Sequence, residues 1–260
     1  MGLLNKGVTI IHFDETYYTQ SKLQNYSHDS IDFQQLEHVN LYCEKDSIST
    51  LRSYLEKRRQ KGITFIGSGN YHYVSFLLLK EIKEPFTLVL FDNHPDLGLD
   101  QGWNEKLLSC GSWVSYALTE TPNLQQVVII GPTGLSQHIN HPRVVIYPFD
   151  GSQHYSLKAI LSAIQTQYVY ISIDKDVLNR NEAITNWDQG KMDLNTLLSY
   201  LDVVFQYKQV EGVDICGEEH LTPMLSLLPD FQIINRKNEK ANLMLLEECL
   251  KWTGSQTKGA

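Results

Sequence analysis

Asp92, His94 and Asp96 occupy alternate positions in Asp92-Asn93-His94-Pro95-Asp96, where the apolar run from Thr87 to Phe91 gives out. In an extended segment, side chains two residues apart share a face. Two carboxylates and an imidazole can therefore converge on one point if the chain stays extended past Phe91. A solvated loop or a helix cap accounts comfortably for one aspartate after a strand, but poorly for three potential ligands in register. The pattern recurs downstream, where the apolar run Tyr168 to Ile173 leads into Asp174-Lys175-Asp176. Like-charged carboxylates do not crowd together without a cation between them, because burying unpaired charge is costly. The two motifs together point to bound divalent metal, and the number of carboxylates points to more than one ion.

A third segment adds a histidine. Ile63 to Ile66 is a short strand, followed by Gly67-Ser68-Gly69-Asn70-Tyr71-His72 and a helix from about Tyr73 to Ile82. The spacing is neither G-x-G-x-x-G nor a P-loop with its Lys-Ser/Thr, which argues against a phosphate cradle. The glycines instead let the backbone turn tightly and deliver His72 to the strand ends. A lone histidine at a helix start is more often a cap or a packed side chain. His72 becomes a candidate ligand because two acidic motifs end other strands.

Holding such residues together requires strands that finish at one edge. Apolar runs predict strands at Val8–Phe13, Ile63–Ile66, Thr87–Phe91, Val127–Gly131, Arg143–Tyr147, Tyr168–Ile173 and Val210–Ile215. Helices are predicted from Asp46 to Arg59, Leu107 to Leu118, Ser156 to Gln165, Asp193 through Val204, and Asn235 to Trp252. Lys57-Arg58-Arg59-Gln60-Lys61 is read as the charged end of the first of these, since cations suit a helix C-terminus. Gln20 to Tyr42 and Leu97 to Lys106 read as irregular, and Thr253 to Ala260 as a frayed tail. Strands alternating with helices give an α/β fold, with a mainly parallel sheet covered on both faces. In open sheets of this kind, sites lie beyond the carboxyl ends of the strands.

The chain has 260 residues, enough for one large α/β domain over 1–260, and no linker or repeat divides it. A formal net charge of −8 argues against broad attraction to nucleic acid or anionic membrane. Cys43, Cys110, Cys216 and Cys249 form no C-x-x-C pair and read as reduced thiols of a cytoplasmic protein. Met1 to Lys6 has neither the length of a signal peptide nor, with Lys6, the pattern for N-myristoylation.

In order and strand context, the three segments resemble the arginase–agmatinase (ureohydrolase) superfamily. That superfamily has a glycine-rich turn ending in His (here Gly67 to His72), Asp-x-His-x-Asp (Asp92 to Asp96) and Ser-x-Asp-x-Asp (Ser172 to Asp176). The likeness spans roughly the middle half of the chain. It implies a three-layer α/β/α fold of arginase–deacetylase type and a site with two Mn2+ ions. One ion would be held by His72, Asp92, Asp96 and Asp174, the other by Asp92, His94, Asp174 and Asp176. Mixed carboxylate and imidazole ligands suit manganese better than a soft metal. The resemblance also implies that Asp96 orients a hydroxide attacking a guanidinium carbon, with release of urea and an amine.

The chain departs from typical arginases in ways that bear on substrate. Those enzymes grip the α-amino and α-carboxyl groups of free arginine with a loop ending in His-Gly. Here Leu97 to Gly111 is short and Cys110-Gly111 stands in that place, leaving the proton shuttle open. The acid expected to hold the guanidinium is Glu218, with Glu219 as its competitor, and Trp187 and Asp188 are further candidates for substrate contact. These departures resemble a branch called peptide arginases, which implies an arginine-containing peptide as substrate and ornithine as product. The alternatives are hydrolysis of free arginine or agmatine, a single-zinc deacetylase of the same topology, and a non-catalytic metal-bound peptide-binding module. The deacetylase reading lacks the adjacent histidine pair it needs. No nucleic-acid or membrane partner is expected, and homo-oligomerisation is left open.

Overall fold

The computed structural model describes residues 6–98, 107–133, 139–151 and 155–252. Its strands are β1 (Val8–His12), β2 (Asp29–Asp32), β3 (Ile63–Gly67), β4 (Phe86–Phe91), β5 (Leu124–Gly131), β6 (Val144–Pro148), β7 (Tyr168–Asp174) and β8 (Gln209–Cys216). They form one sheet in the order β2-β1-β3-β8-β7-β4-β5-β6. Every pairing is parallel, so all eight strands finish at the same edge. Register carries the motifs to neighbouring points on that edge. Phe91 pairs with Ile173, Asp174 with Cys216, and Cys216 with Gly67.

Among the described residues, seven helices flank the sheet: α1 (Ser21–Gln24), α2 (Lys45–Lys57), α3 (Val74–Leu79), α4 (Trp113–Glu120), α5 (Leu157–Ala163), α6 (Leu194–Tyr207) and α7 (Pro229–Lys251). The pleat divides β4 between two cores. Leu88 and Leu90 pack with Leu51 of α2, Leu77 of α3 and Ala117 of α4. Val89 and Phe91 pack with Ile160 of α5, Leu201 of α6 and Leu245 of α7. The sheet is thus covered on both faces, which is why its central strands read as unbroken apolar runs. No helix among the described residues is long and apolar enough to cross a membrane.

Several boundaries differ from the sequence reading. β2 and α1 lie in the stretch read as irregular; β2 is the edge strand Asp-Ser-Ile-Asp, and it buries only Ile31. The helix predicted from Leu107 begins only at Trp113. Residues before it pair with another segment instead: Cys43 N–H donates to Leu108 O (2.9 Å) and Cys110 N–H to Leu41 O (2.8 Å). α7 starts at Pro229, with proline near its N-terminus where no intrahelical N–H is needed. Within the basic cluster, Arg58 is buried and pairs with Glu81 at 2.6 Å, so it serves packing rather than a solvated helix end. The readings for Met1 to Asn5, for residues 99–106 of the loop and for the tail from Thr253 lie outside the described residues.

Gly131 shows how tightly the strand ends are drawn together. It ends β5 with φ +131°, and a Cβ there would stand 2.5 Å from the carbonyl oxygen of Asp92. Gly131→Ala is therefore expected to lower stability by about 1–3 kcal/mol, read from thermal melting. An unchanged melting temperature would show that this close approach is not needed.

Candidate metal centre

Three strand ends and one glycine turn build the site. β3 ends at Gly67 (φ +104°), and Ser68 then caps a short 3-10 turn by accepting the Asn70 N–H at 3.2 Å. This turn delivers His72, which is 1 % exposed. At the end of β4, Asp92 N–H still donates to Ile130 O on β5, and Asp92 Oδ1 accepts the His94 N–H at 2.6 Å. At the end of β7, Asp174 Oδ1 accepts the Asp176 N–H at 2.9 Å, fixing the second acidic pair.

The side chains of the predicted ligands approach one another at this edge. His72 Nδ1 lies 3.2 Å from Asp92 Oδ2, 3.2 Å from Asp96 Oδ2 and 3.6 Å from Asp174 Oδ2. His94 Nδ1 lies 2.8 Å from Asp176 Oδ2 and 3.6 Å from Asp92 Oδ1. Three groups of potential ligands result among the described residues: His72 with Asp92 and Asp96, Asp92 with His94 and Asp176, and His72 with Asp174 and Cys216. Asp92 belongs to the first two, and His72 to the first and third. All these residues are buried except His94, whose side chain is 35 % exposed and marks the opening.

The hydrogen-bond pattern fixes what His72 offers. Ser172 Oγ donates to Asp214 Oδ1 at 2.7 Å, so it accepts from His72 Nε2 at 2.9 Å. With its proton on Nε2, His72 turns the Nδ1 lone pair toward three carboxylates. That arrangement repels unless a cation lies between, and a hydroxyl–carboxylate relay behind a histidine is how proteins orient metal ligands. Asp92 Oδ2 is buried with no hydrogen-bond donor aimed at it. The donor set and this orphaned oxygen both fit a divalent ion.

The electrostatics report the same strain. Burial, then the Asp176 charge, pushes Asp174 up to about 6, and burial, then Asp92, pushes Asp176 up to about 7. Burial works against a charged His94, yet Asp176 and Asp92 outweigh it and push it up to about 12. Without metal, proton uptake offsets part of this crowding.

Some contacts had no sequence forecast. Trp113 Nε1 donates to Asp96 Oδ2 at 2.6 Å, and its ring lies 4.8 Å from His72. Asn93 donates to Asp188 O at 3.0 Å and accepts from Thr133 at 2.7 Å, tying the two acidic motifs to the loop before α6. A signal for Asp214 existed: a charge inside the apolar strand Val210–Ile215 must find a partner. Trp113 gave no such signal.

Of the predicted substrate residues, Trp187 stands at the opening. It is 37 % exposed, 5.9 Å from the His94 ring, and its Nε1 donates to Asn70 Oδ1 at 2.9 Å. Asp188 is exposed beside it. Glu218 is placed differently: it is fully buried, with both oxygens occupied. Oε1 accepts from Lys175 and from Asn242 (2.6 Å), and Oε2 from Asn238 (3.0 Å) and Gln20 (3.1 Å). Glu219 is half-buried and accepts the His220 N–H at 3.1 Å.

Comparison with known proteins places this arrangement. The model of the arginase family matches residues 8–216. An uncharacterised protein of Thermotoga maritima is 34% identical over 185 residues, covering 71% of this chain and 66% of that protein, so the match spans just under two thirds of the relative. The agmatine ureohydrolase of Thermoplasma volcanium superposes with TM-score 0.66 at 14% identity, covering 97% of this chain and 91% of that one. Formimidoylglutamase of Bacillus subtilis gives TM-score 0.64 at 18% identity, covering 94% and 85%. At these identities the two structures show the fold alone.

Two outcomes follow from the geometry. Asp174 and Asp176 are raised well above the ordinary aspartate range, so the metal-free fold holds extra protons near pH 6 and loses stability as pH rises through about 6 to about 7. A divalent ion replaces those protons, so manganese should raise the melting temperature more at about pH 8 than at about pH 5.5. Equal gains would contradict a metal held by these carboxylates. Separately, Glu218→Ala strands Lys175 in the interior and should cost about 3–5 kcal/mol in chemical denaturation. A near-neutral effect would show that the pair is not buried as described.

Proposed function

This chain belongs to the arginase family, and we propose that it is a binuclear metal hydrolase that splits a guanidino group into urea and an amine. The observation that carries this reading is the convergence of His72, Asp92, His94, Asp96, Asp174 and Asp176 at one sheet edge. His72, Asp92, Asp96 and Asp174 would hold one ion, and Asp92, His94, Asp174 and Asp176 the other. Manganese is the expected metal. Two such ions would supply Lewis acidity and make a water acidic enough to ionise near neutral pH.

This chain's residues do the rest. Asp96, fixed through Oδ2 by the Trp113 indole, accepts the proton of the attacking water and orients its oxygen toward the guanidinium carbon. Collapse of the tetrahedral adduct breaks one C–N bond, and the proton held at Asp96 passes to the departing amine. Trp187 packs over the substrate at the opening, and Asp188 lies within the same loop to meet its charge. Glu218 has no free oxygen for a guanidinium while Lys175 and three amides occupy it, so we assign it a supporting role. Its pair with Lys175 holds the turn between Asp174 and Asp176.

The substrate class we favour is an arginine side chain within a peptide, giving ornithine. Free arginine carries an ammonium and a carboxylate that need fixed partners when buried. Beside Trp187 the rim carries neutral amides: Asn70 is bonded to Asn186 and to Asn40, at 2.9 Å and 2.8 Å. Amides of this kind match a peptide backbone rather than a charged amino-acid head. Urea release with manganese should be at least about tenfold faster on an arginine within a peptide than on free arginine or agmatine at equal concentration. Faster turnover of free arginine would reject the peptide substrate, and no urea from any of them would reject guanidine hydrolysis.

A further inference from the structure

Cys216 ends β8, in register with Asp174 on β7 and beside Gly67 on β3. It is fully buried, so it is neither a surface thiol nor open to a redox partner. Its Sγ lies 3.3 Å from Asp174 Oδ2, the oxygen that also stands 3.6 Å from His72 Nδ1. His72, Asp174 and Cys216 each offer a ligand atom within 4.8 Å of the others. Atoms bound to one ion at about 2.0–2.3 Å stand up to roughly 4.5 Å apart, so only a small inward shift would place all three on it.

The local backbone holds the thiol there. Gly217 has φ +84°, and a Cβ at that position would meet Lys175 N at 2.6 Å, so the chain presses β8 against the end of β7. A second, independent feature marks the same pocket: Asp92 Oδ2, on a residue 1 % exposed, has no donor aimed at it and faces His72 Nδ1 at 3.2 Å.

We propose that Cys216 is a direct thiolate ligand of the ion at His72, added to the carboxylate and imidazole set, and that it turns this end of the centre toward softer divalent ions than manganese. The thiol gives its proton to solvent as the ion binds. A thiolate favours zinc, iron or cobalt over manganese, whereas the His94 end, with oxygen and imidazole only, keeps the harder preference. The two positions of the centre are thereby inequivalent. This rests on the metal-centre reading above, and the experiment separates the two.

The test uses the full chain loaded with cobalt(II) alone, followed by absorption and by elemental analysis. Thiolate bound to cobalt gives charge-transfer absorption in the near ultraviolet, which oxygen and imidazole ligands do not. The wild-type protein should show it, Cys110→Ser should keep it, and Cys216→Ser and Cys216→Ala should lose it while still binding cobalt. The same variants should reduce the preference for zinc over manganese by on the order of tenfold. Cobalt bound to the wild type without this absorption would overturn the ligand assignment and leave the metal centre standing. Absorption that survives in the Cys216 variants and vanishes in Cys110→Ser would also overturn it. Failure to bind any cobalt would overturn both.

Discussion

Four buried aspartates share one edge of the sheet: Asp92, Asp96, Asp174 and Asp176. Their mutual repulsion, in a largely buried place, is the constraint on which the rest of the structure turns. An all-parallel sheet cannot avoid it once these residues end neighbouring strands, because every strand finishes on the same side. The crowding raises Asp174, Asp176 and His94, so protons offset part of it, and a divalent ion would offset it in the same way.

A second layer keeps the ligands from relaxing apart. Asp214 and Ser172 hold the His72 ring from behind, Trp113 holds Asp96, and the Asn93 backbone N–H donates to Asp176 at 2.9 Å. Beneath the β7 turn, Lys175 and Glu218 form a fully buried ion pair, closed by Asn238, Asn242 and Gln20. That network ties α7 and the segment after β1 to the turn carrying Asp174 and Asp176. It pairs one positive and one negative charge with each other, so Lys175 does not compensate the four aspartates.

Much of the acidic cluster was legible because its residues sit at fixed offsets from long apolar runs. β4 and β7 lie in the middle of the sheet, covered on both faces, and central parallel strands announce themselves in sequence. β2 did not: as an edge strand it buries one residue and carries aspartate at both ends. The start of α4 was misplaced because helical spacing cannot reveal that residues 107–110 pair with residues 41–43 instead. Glu218 looked like a site acid because it follows the last strand. Its partners Asn238 and Asn242 lie one helical turn apart on α7, far along the chain, so nothing local marked the acid as already taken.

The central claim is that two ions share the carboxylates at these strand ends. Anomalous diffraction at the cobalt edge, from crystals grown with cobalt(II), which suits both oxygen–imidazole and thiolate donors, addresses it most directly. The account predicts two peaks roughly 3.5–4 Å apart, one against His72 and one against His94, with Asp92 and Asp174 reaching both. A single peak, or none at these residues, would contradict it.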